Sequence, residues 1–344
     1  MMNAKTILAL FLICIGSCVA HSQQSALDYN NTVVRELNPV QSATAAYLDA
    51  ATHGQNPADA NAKLATLVTT IGQSKAHVST MPAYKGYTAL RDSVVSYLTL
   101  AYSAANGFSG VLTEAEMMAL PYEKIKSYME TSDALNDRLT AFNAMIKREQ
   151  KRFGDKNGFD IETKLNPLDE KFQQAKEVFR YYHRVFLVFL KCNKQEITFI
   201  DTLNGGSPAS LEPVRARCAA YTTEALRQLD TMSAYNGDGA LLKAAKDAVQ
   251  FYDMEAKTKF PLIIDYFQKK EKSDKQTVAL NKREPKDRTP QMIESHNANL
   301  KAVYDAAQIY NSTNQELNAK RNTLVDQCNQ AIRDFLNRNT PKMK

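Results

Sequence analysis

Glycine and proline are scarce: 12 and 11 in a chain of 344 residues. That is about half the average glycine usage. A sheet protein of this length needs many turns, so the shortage favours long helices over many short strands. Cysteine is also thin. Beyond the N-terminal segment only Cys192, Cys218 and Cys328 remain, with no C-x-x-C spacing. Thiol redox motifs and zinc knuckles are thereby excluded. Local catalytic signatures are missing too. There is no H-E-x-x-H, no G-x-S-x-G, no Walker loop and no pair of Glu-x-x-His helices. His53, His77, His183 and His296 have no i, i+4 histidine partner. The expectation is a non-enzyme with no catalytic residues, no metal and no cofactor.

A second membrane-length apolar run is absent as well. The longest internal one, Val185 to Leu190, is six residues. The N-terminus does carry a short one. Lys5 precedes the apolar run Thr6 to Ile15, which is too short to span a membrane and reads as an export signal over residues 1–22. Ile15-Gly16-Ser17-Cys18 has the form of a lipobox, which would make Cys18 the lipidated residue. Ordinary cleavage after Ala20 or Ser22 is the alternative. Val19 is not the aspartate of an inner-membrane retention signal, so an outer-membrane lipoprotein is favoured over a soluble periplasmic or secreted protein.

At 344 residues the chain is comfortable for two domains. The net charge of +6 falls to +5 without Lys5. A mild excess over two domains does not by itself imply nucleic acid, which usually needs a concentrated basic face.

What is present is a repeat. Thr80-Met81-Pro82-Ala83-Tyr84-Lys85-Gly86-Tyr87-Thr88-Ala89-Leu90 returns 151 residues later as Thr231-Met232-Ser233-Ala234-Tyr235-Asn236-Gly237-Asp238-Gly239-Ala240-Leu241, seven of eleven positions being identical. Leu37-Asn38-Pro39-Val40 is echoed by Leu165-Asn166-Pro167-Leu168, an offset of 128. Near the ends, Leu135, Phe142, Ile146 and Phe153 superpose on Leu317, Leu324, Cys328 and Phe335 at an offset of 182, one helical face in each case. The fold expected is all-α: two tandem antiparallel bundles of about four helices, related by internal duplication. Repeat one covers 26–157 and repeat two 164–339. The growing offset gives the second repeat a longer first hairpin and an added segment at 268–290. Shared equally between two helices, the first insertion would lengthen that hairpin by roughly 17 Å.

Three groups of residues are candidate sites. Cys192 and Cys218 lie 14 residues before and 12 after Gly206, at similar height in a hairpin. A disulfide and two separate buried thiols are both open. Tyr84, Tyr87 and Tyr235 sit in the duplicated loop, where they pack over helix ends or line a ligand groove between the repeats. The segment 268–290 holds Lys269, Lys270, Lys272, Lys275, Lys282, Arg283, Lys286 and Arg288 against Glu271, Asp274, Glu284 and Asp287, a net +4. It is either a solvated connector or a contact surface for anionic envelope components. The interspersed acids and the lack of interleaved aromatics argue against nucleic acid.

Asp28-Tyr29-Asn30-Asn31, with Phe142-Asn143 through Gln150-Lys151-Arg152-Phe153 to Lys156-Asn157-Gly158-Phe159, resembles an uncharacterised family of exported all-helical bacterial surface proteins and lipoproteins. The resemblance implies a cell-envelope location and transfers no site residues. The leading expectation is a non-enzymatic envelope protein, held at the membrane by a lipid anchor, that binds or scaffolds another envelope macromolecule. The alternative is a periplasmic small-ligand binder using the groove between the repeats.

Overall fold

The computed structural model describes residues 24–54, 56–107, 119–161, 167–205 and 208–343. The export segment, the lipobox and Cys18 lie outside them. Among the described residues the protein is all-α, and Tyr84–Tyr87 and Tyr235–Asp238 form single-pair β-bridges inside turns.

The chain divides into two compact units, residues 1–183 with 332–344, and residues 184–331. These limits differ from the sequence repeats 26–157 and 164–339. Unit one contains α1 (Gln24–Arg35), α2 (Leu37–Thr52), α3 (Pro57–Thr80), α4 (Ala89–Gly107) and α5 (Tyr122–Asn157). It also takes the first part of α6 (Pro167–Gly205). Helix α2 packs on α3, α3 on α4 and α4 on α5, with α1 laid against α4 and α5. Caps set the ends. Asn56 accepts the Ala58 N–H at 2.9 Å ahead of Pro57. Gly158, at φ 77°, closes α5 in the left-handed region that suits glycine.

The first part of α6 buries Phe172, Ala175, Phe179 and Tyr182 and also bonds to α5. Lys176 Nζ reaches Asp137 Oδ1 at 2.9 Å and Arg180 Nη2 reaches the same atom at 2.7 Å, while His183 Nδ1 lies 3.0 Å from Asp133. The C-terminus is tied to the same unit. Met343 N donates to Asp49 at 2.8 Å, and His53 Nδ1 lies 2.8 Å from Asn337.

Unit two contains the rest of α6, then α7 (Pro208–Asp230), α8 (Ala240–Met254), a π-helical turn (Glu255–Lys259), α9 (Phe260–Asn281) and most of α10 (Pro290–Asn339). Helix α7 packs on α8 and α9.

Residues 151 positions apart are buried alike. In α3 and α7 these pairs include Ala60/Leu211, Leu67/Cys218, Ile71/Thr222 and Val78/Leu229. In α4 and α8 they include Leu90/Leu241, Val94/Ala245, Leu98/Val249 and Ala101/Tyr252. The turns between them match too. Tyr84 and Tyr87 exchange two backbone hydrogen bonds, as do Tyr235 and Asp238. Lys85 and Asn236 have φ of 48° and 47°, and Gly86 and Gly237 of 82° and 86°. Positive φ at both central residues is the type I′ geometry.

Two expectations need correction. α3 and α7 have nearly equal lengths, 24 and 23 residues, whereas α6 has 39 against 16 for α2. The additional length of the second hairpin therefore lies in its first helix and is not shared. On α5, Leu135 and Phe142 are only half-buried. The buried stripe runs one residue later, through Ser132, Asn136, Leu139, Asn143, Ile146, Gln150 and Phe153. Its polar members hide it from a search for apolar spacing.

Candidate functional site: a basic helical hairpin

Segment 268–290 is mostly helix, not an irregular connector. α9 continues to Asn281, and only 282–289 form the turn, with a 3-10 turn at Pro285–Asp287. The stem lysines explain the continuation. Lys269 pairs with Asp265, Lys270 with Asp274 and Lys275 with Glu271, each at i, i+4 and within 2.7 Å. Such pairs stabilise a helix by a few tenths of a kcal/mol each (~0.3). Thr289 then caps α10, its Oγ1 accepting the Met292 N–H at 3.3 Å.

α9 and the start of α10 run antiparallel. Tyr266 stacks on Tyr310 at 4.9 Å, and Phe267 meets the same ring edge-on at 5.6 Å. Further out, Gln276 Nε2 donates to Ser295 Oγ at 3.0 Å, and Asn299 also bonds to Gln276. Toward the turn the packing thins: Ser273 is the last buried residue of α9, and 281–287 are all exposed.

The cations of this hairpin fall into two sets. Lys269, Lys270 and Lys275 are neutralised along the stem. Among the described residues, Lys272, Lys282, Arg283, Lys286 and Arg288 have no carboxylate within salt-bridge distance. Arg288 Nε donates instead to the Arg283 carbonyl at 3.2 Å. Glu284 and Asp287 are exposed and likewise unpaired. Apolar side chains share this end. Val278 is 55% exposed and Ile293 44%. Between the helices lies an open cavity of about 340 Å³, with Ala279, Leu280 and Met292 on its walls, Gln276 and Ser295 beside them, and Arg283 at one side.

At the base of the hairpin, unit two buries an ionic trio that the sequence reading missed. Glu255 opens the π-helical turn and is 0% exposed, and Glu196 of α6 is nearly as buried. Arg321 of α10 donates through Nε to Glu196, and its Nη2 lies 2.7 Å from Glu255 Oε1. Two carboxyls face one guanidinium. Burial, and next the neighbouring Glu196 charge, push the Glu255 carboxyl up, with Arg321 opposing; burial also raises Glu196. Arg215 of α7 donates to the Ala256 carbonyl at 3.1 Å and supports the π turn. Residues 151 and 182 positions earlier, Ala104 and Leu139, are buried and apolar. A charge on an apolar stripe, Arg321 between Leu317 and Leu324, is the one sequence sign of this trio.

The other expected site residues are engaged in packing. Tyr84 and Tyr87 both pack on Phe153, at 5.4 and 5.3 Å, and Tyr87 Oη donates to Glu149 at 2.9 Å. Tyr29 joins them at 5.6 Å from Phe153, and Gln150 Nε2 donates to Asn30 Oδ1 at 3.3 Å. The two sequence stretches that carried the family resemblance thus meet in the core of unit one. Tyr235 is half-buried in unit two. Cys192, Cys218 and Cys328 are free buried thiols, so no Cys192–Cys218 disulfide is formed. Cys192 Sγ is directed at the Tyr221 carbonyl, 3.8 Å away. Burial holds each thiol protonated, pushed up to about 12, which removes nucleophilic character.

Among the described residues no helix is long and apolar enough to cross a membrane, and no group of three side chains could hold a metal ion. No family model, curated protein or solved structure matches the chain.

Proposed function

We propose that this is a non-enzymatic exported envelope protein, anchored through Cys18 as an outer-membrane lipoprotein, which binds or scaffolds another envelope macromolecule through the end of its α9–α10 hairpin. The observation that carries the reading is the sorting of charge on the hairpin. Stem lysines are paired, whereas Lys282, Arg283 and Lys286 at the turn are exposed and unpaired. A solvated stem needs only the first set. Unpaired cations beside exposed Val278 and Ile293 suit contact with something else.

The same proposal includes two tandem helical bundles derived from one duplicated unit. The shared I′ turn, the matched burial 151 residues apart and the common Asn side chain to Phe carbonyl bonds, Asn157 to Phe153 and Asn339 to Phe335, support that origin. The second bundle then differs from the first by its longer α6, its hairpin and its ionic trio, and these differences are where a new role would be carried.

The test is a deletion. Gln276 and Ser295 face each other, so residues 277–294 can be replaced by a short Gly-Ser loop that keeps both helices in register. The expected result is an unchanged fold with lost co-purification of the envelope partner. Retained partner recovery sinks the contact-arm reading. Intact mass of the protein from its own membrane fraction tests the anchor separately, since lipidation predicts a chain beginning at Cys18 and carrying acyl groups.

A further inference from the structure

Resting on the contact-arm reading, we propose that the hairpin end docks on a bilayer surface bearing acidic phospholipid, with the cavity between α9 and α10 receiving apolar lipid groups. Three features converge at one end of two helices. Lys282, Arg283, Lys286 and Arg288 outnumber Glu284 and Asp287, and among the described residues none of the four cations has a carboxylate within salt-bridge distance. Val278 and Ile293 are exposed beside them. The cavity opens there, lined by the apolar Ala279, Leu280 and Met292 and by four polar residues, Arg283 among them.

Charge complementarity selects the occupant. A neutral peptide would leave the cations unanswered, and a soluble polyanion would leave Leu280, Met292 and Val278 in water. An anionic bilayer satisfies both, because head groups meet the cations while the interfacial region accepts apolar side chains. Nucleic acid is disfavoured because the cations are interspersed with acids and no aromatic side chain projects among residues 278–293. Long lysine and arginine stems let the charges stay at head-group level while the cavity rim goes deeper.

The experiment uses a chain beginning at Gln24, which keeps every described residue and omits the apolar N-terminal run. Its co-sedimentation is measured with vesicles of phosphatidylcholine alone and of phosphatidylcholine mixed with phosphatidylglycerol. Binding only to the mixed vesicles is expected. The K282Q/R283Q/K286Q variant should lose about fivefold per cation, on the order of 100-fold in all. The L280Q/M292S variant keeps the charge and should lose about tenfold or more. Circular dichroism and the melting temperature confirm that each variant is folded. No binding to mixed vesicles overturns the inference, and so does binding that the cavity variant leaves unchanged, since that is charge attraction alone. In a parallel arm, a photo-crosslinker at Val278 is activated in the native envelope. Crosslinks to a protein, with no vesicle binding, leave the contact arm standing and remove only the lipid assignment.

Discussion

Arg321 Nη2 lies 2.7 Å from Glu255 Oε1 in the interior of unit two, while its Nε is bonded to Glu196. One cation between two buried carboxyls is costly: desolvation is several kcal/mol per ion (~3 or more), and Coulomb attraction only partly offsets it. Arg321→Leu strands both carboxyls and should destabilise unit two by about 3–5 kcal/mol. The joint change E196L/E255A/R321L makes the trio apolar, with alanine and leucine at 255 and 321 as at Ala104 and Leu139 of the first repeat. It should be neutral or stabilising by about 1–4 kcal/mol. Urea unfolding of the three proteins checks both statements, and equal losses in both variants would contradict them.

The same trio gives stability a sign in pH. Burial raises both Glu255 and Glu196, and with one guanidinium between them the native pair retains a proton that the unfolded chain has released. Stability from these groups is fully present below the ordinary glutamate value and is lost as pH rises toward the raised native value. The fall is up to about 1.4 kcal/mol per pH unit for each retained proton. Glu255→Gln cannot ionise. It should melt higher than the parent at pH ~7.5 and show a flatter pH dependence from pH ~5 upward. Thermal melts at a series of pH values measure this.

Lys85 occupies a left-handed position where Asn236 stands in the matching turn, with φ of 48° and 47°. A lysine there costs about 1 kcal/mol more than asparagine or glycine. Lys85→Asn should therefore stabilise the protein by about 0.5–1 kcal/mol, whereas Asn236→Lys should do the reverse. A loss on Lys85→Asn would mean that the contact of its ammonium with the Tyr84 ring, at 5.3 Å, outweighs the backbone term.

Gly154 is needed for a close approach. A Cβ there would sit 2.6 Å from the Phe159 carbonyl oxygen, which the backbone must yield to accommodate. Gly154→Ala should cost about 1–3 kcal/mol despite the better helix propensity of alanine. Chemical denaturation measures the change.

The thiols should be silent. Cys192, Cys218 and Cys328 are buried and held protonated. Ellman's reagent should react with none of the three in the native chain beginning at Gln24, and with all three after denaturation. A reductant should leave its melting temperature unchanged. A shift on reduction would show a disulfide.

Local signals exposed the helices and the repeated turn well, because Asn56-Pro57 caps, Gly158 and the Tyr-x-Gly loop act over a few residues. Leu135 and Phe142 mislead, because helix α5 buries Asn136 and Asn143 instead, and a polar inward face leaves no apolar spacing to read. The unit boundary inside α6 was hidden for a related reason. Nothing near His183 breaks the helix, and the assignment of that stretch to unit one depends on tertiary contacts far apart in sequence. The basic segment was found, but net charge could not separate its paired stem from its unpaired turn, since that depends on which lysine has a carboxylate one turn away. Glu255 is indistinguishable in sequence from a surface carboxylate, because its partners come from α6 and α10, far along the chain.

If the hairpin end is the contact surface, a photo-crosslinking residue placed there will capture what it touches; the residue is placed singly at Val278, Lys286, Ile293 and, as an exposed control on α3, Lys63, and intact envelopes are irradiated. Adducts at the three hairpin positions and none at Lys63 are the predicted result. Adducts at Lys63 alone, or at no position, would rule out the hairpin end as that surface.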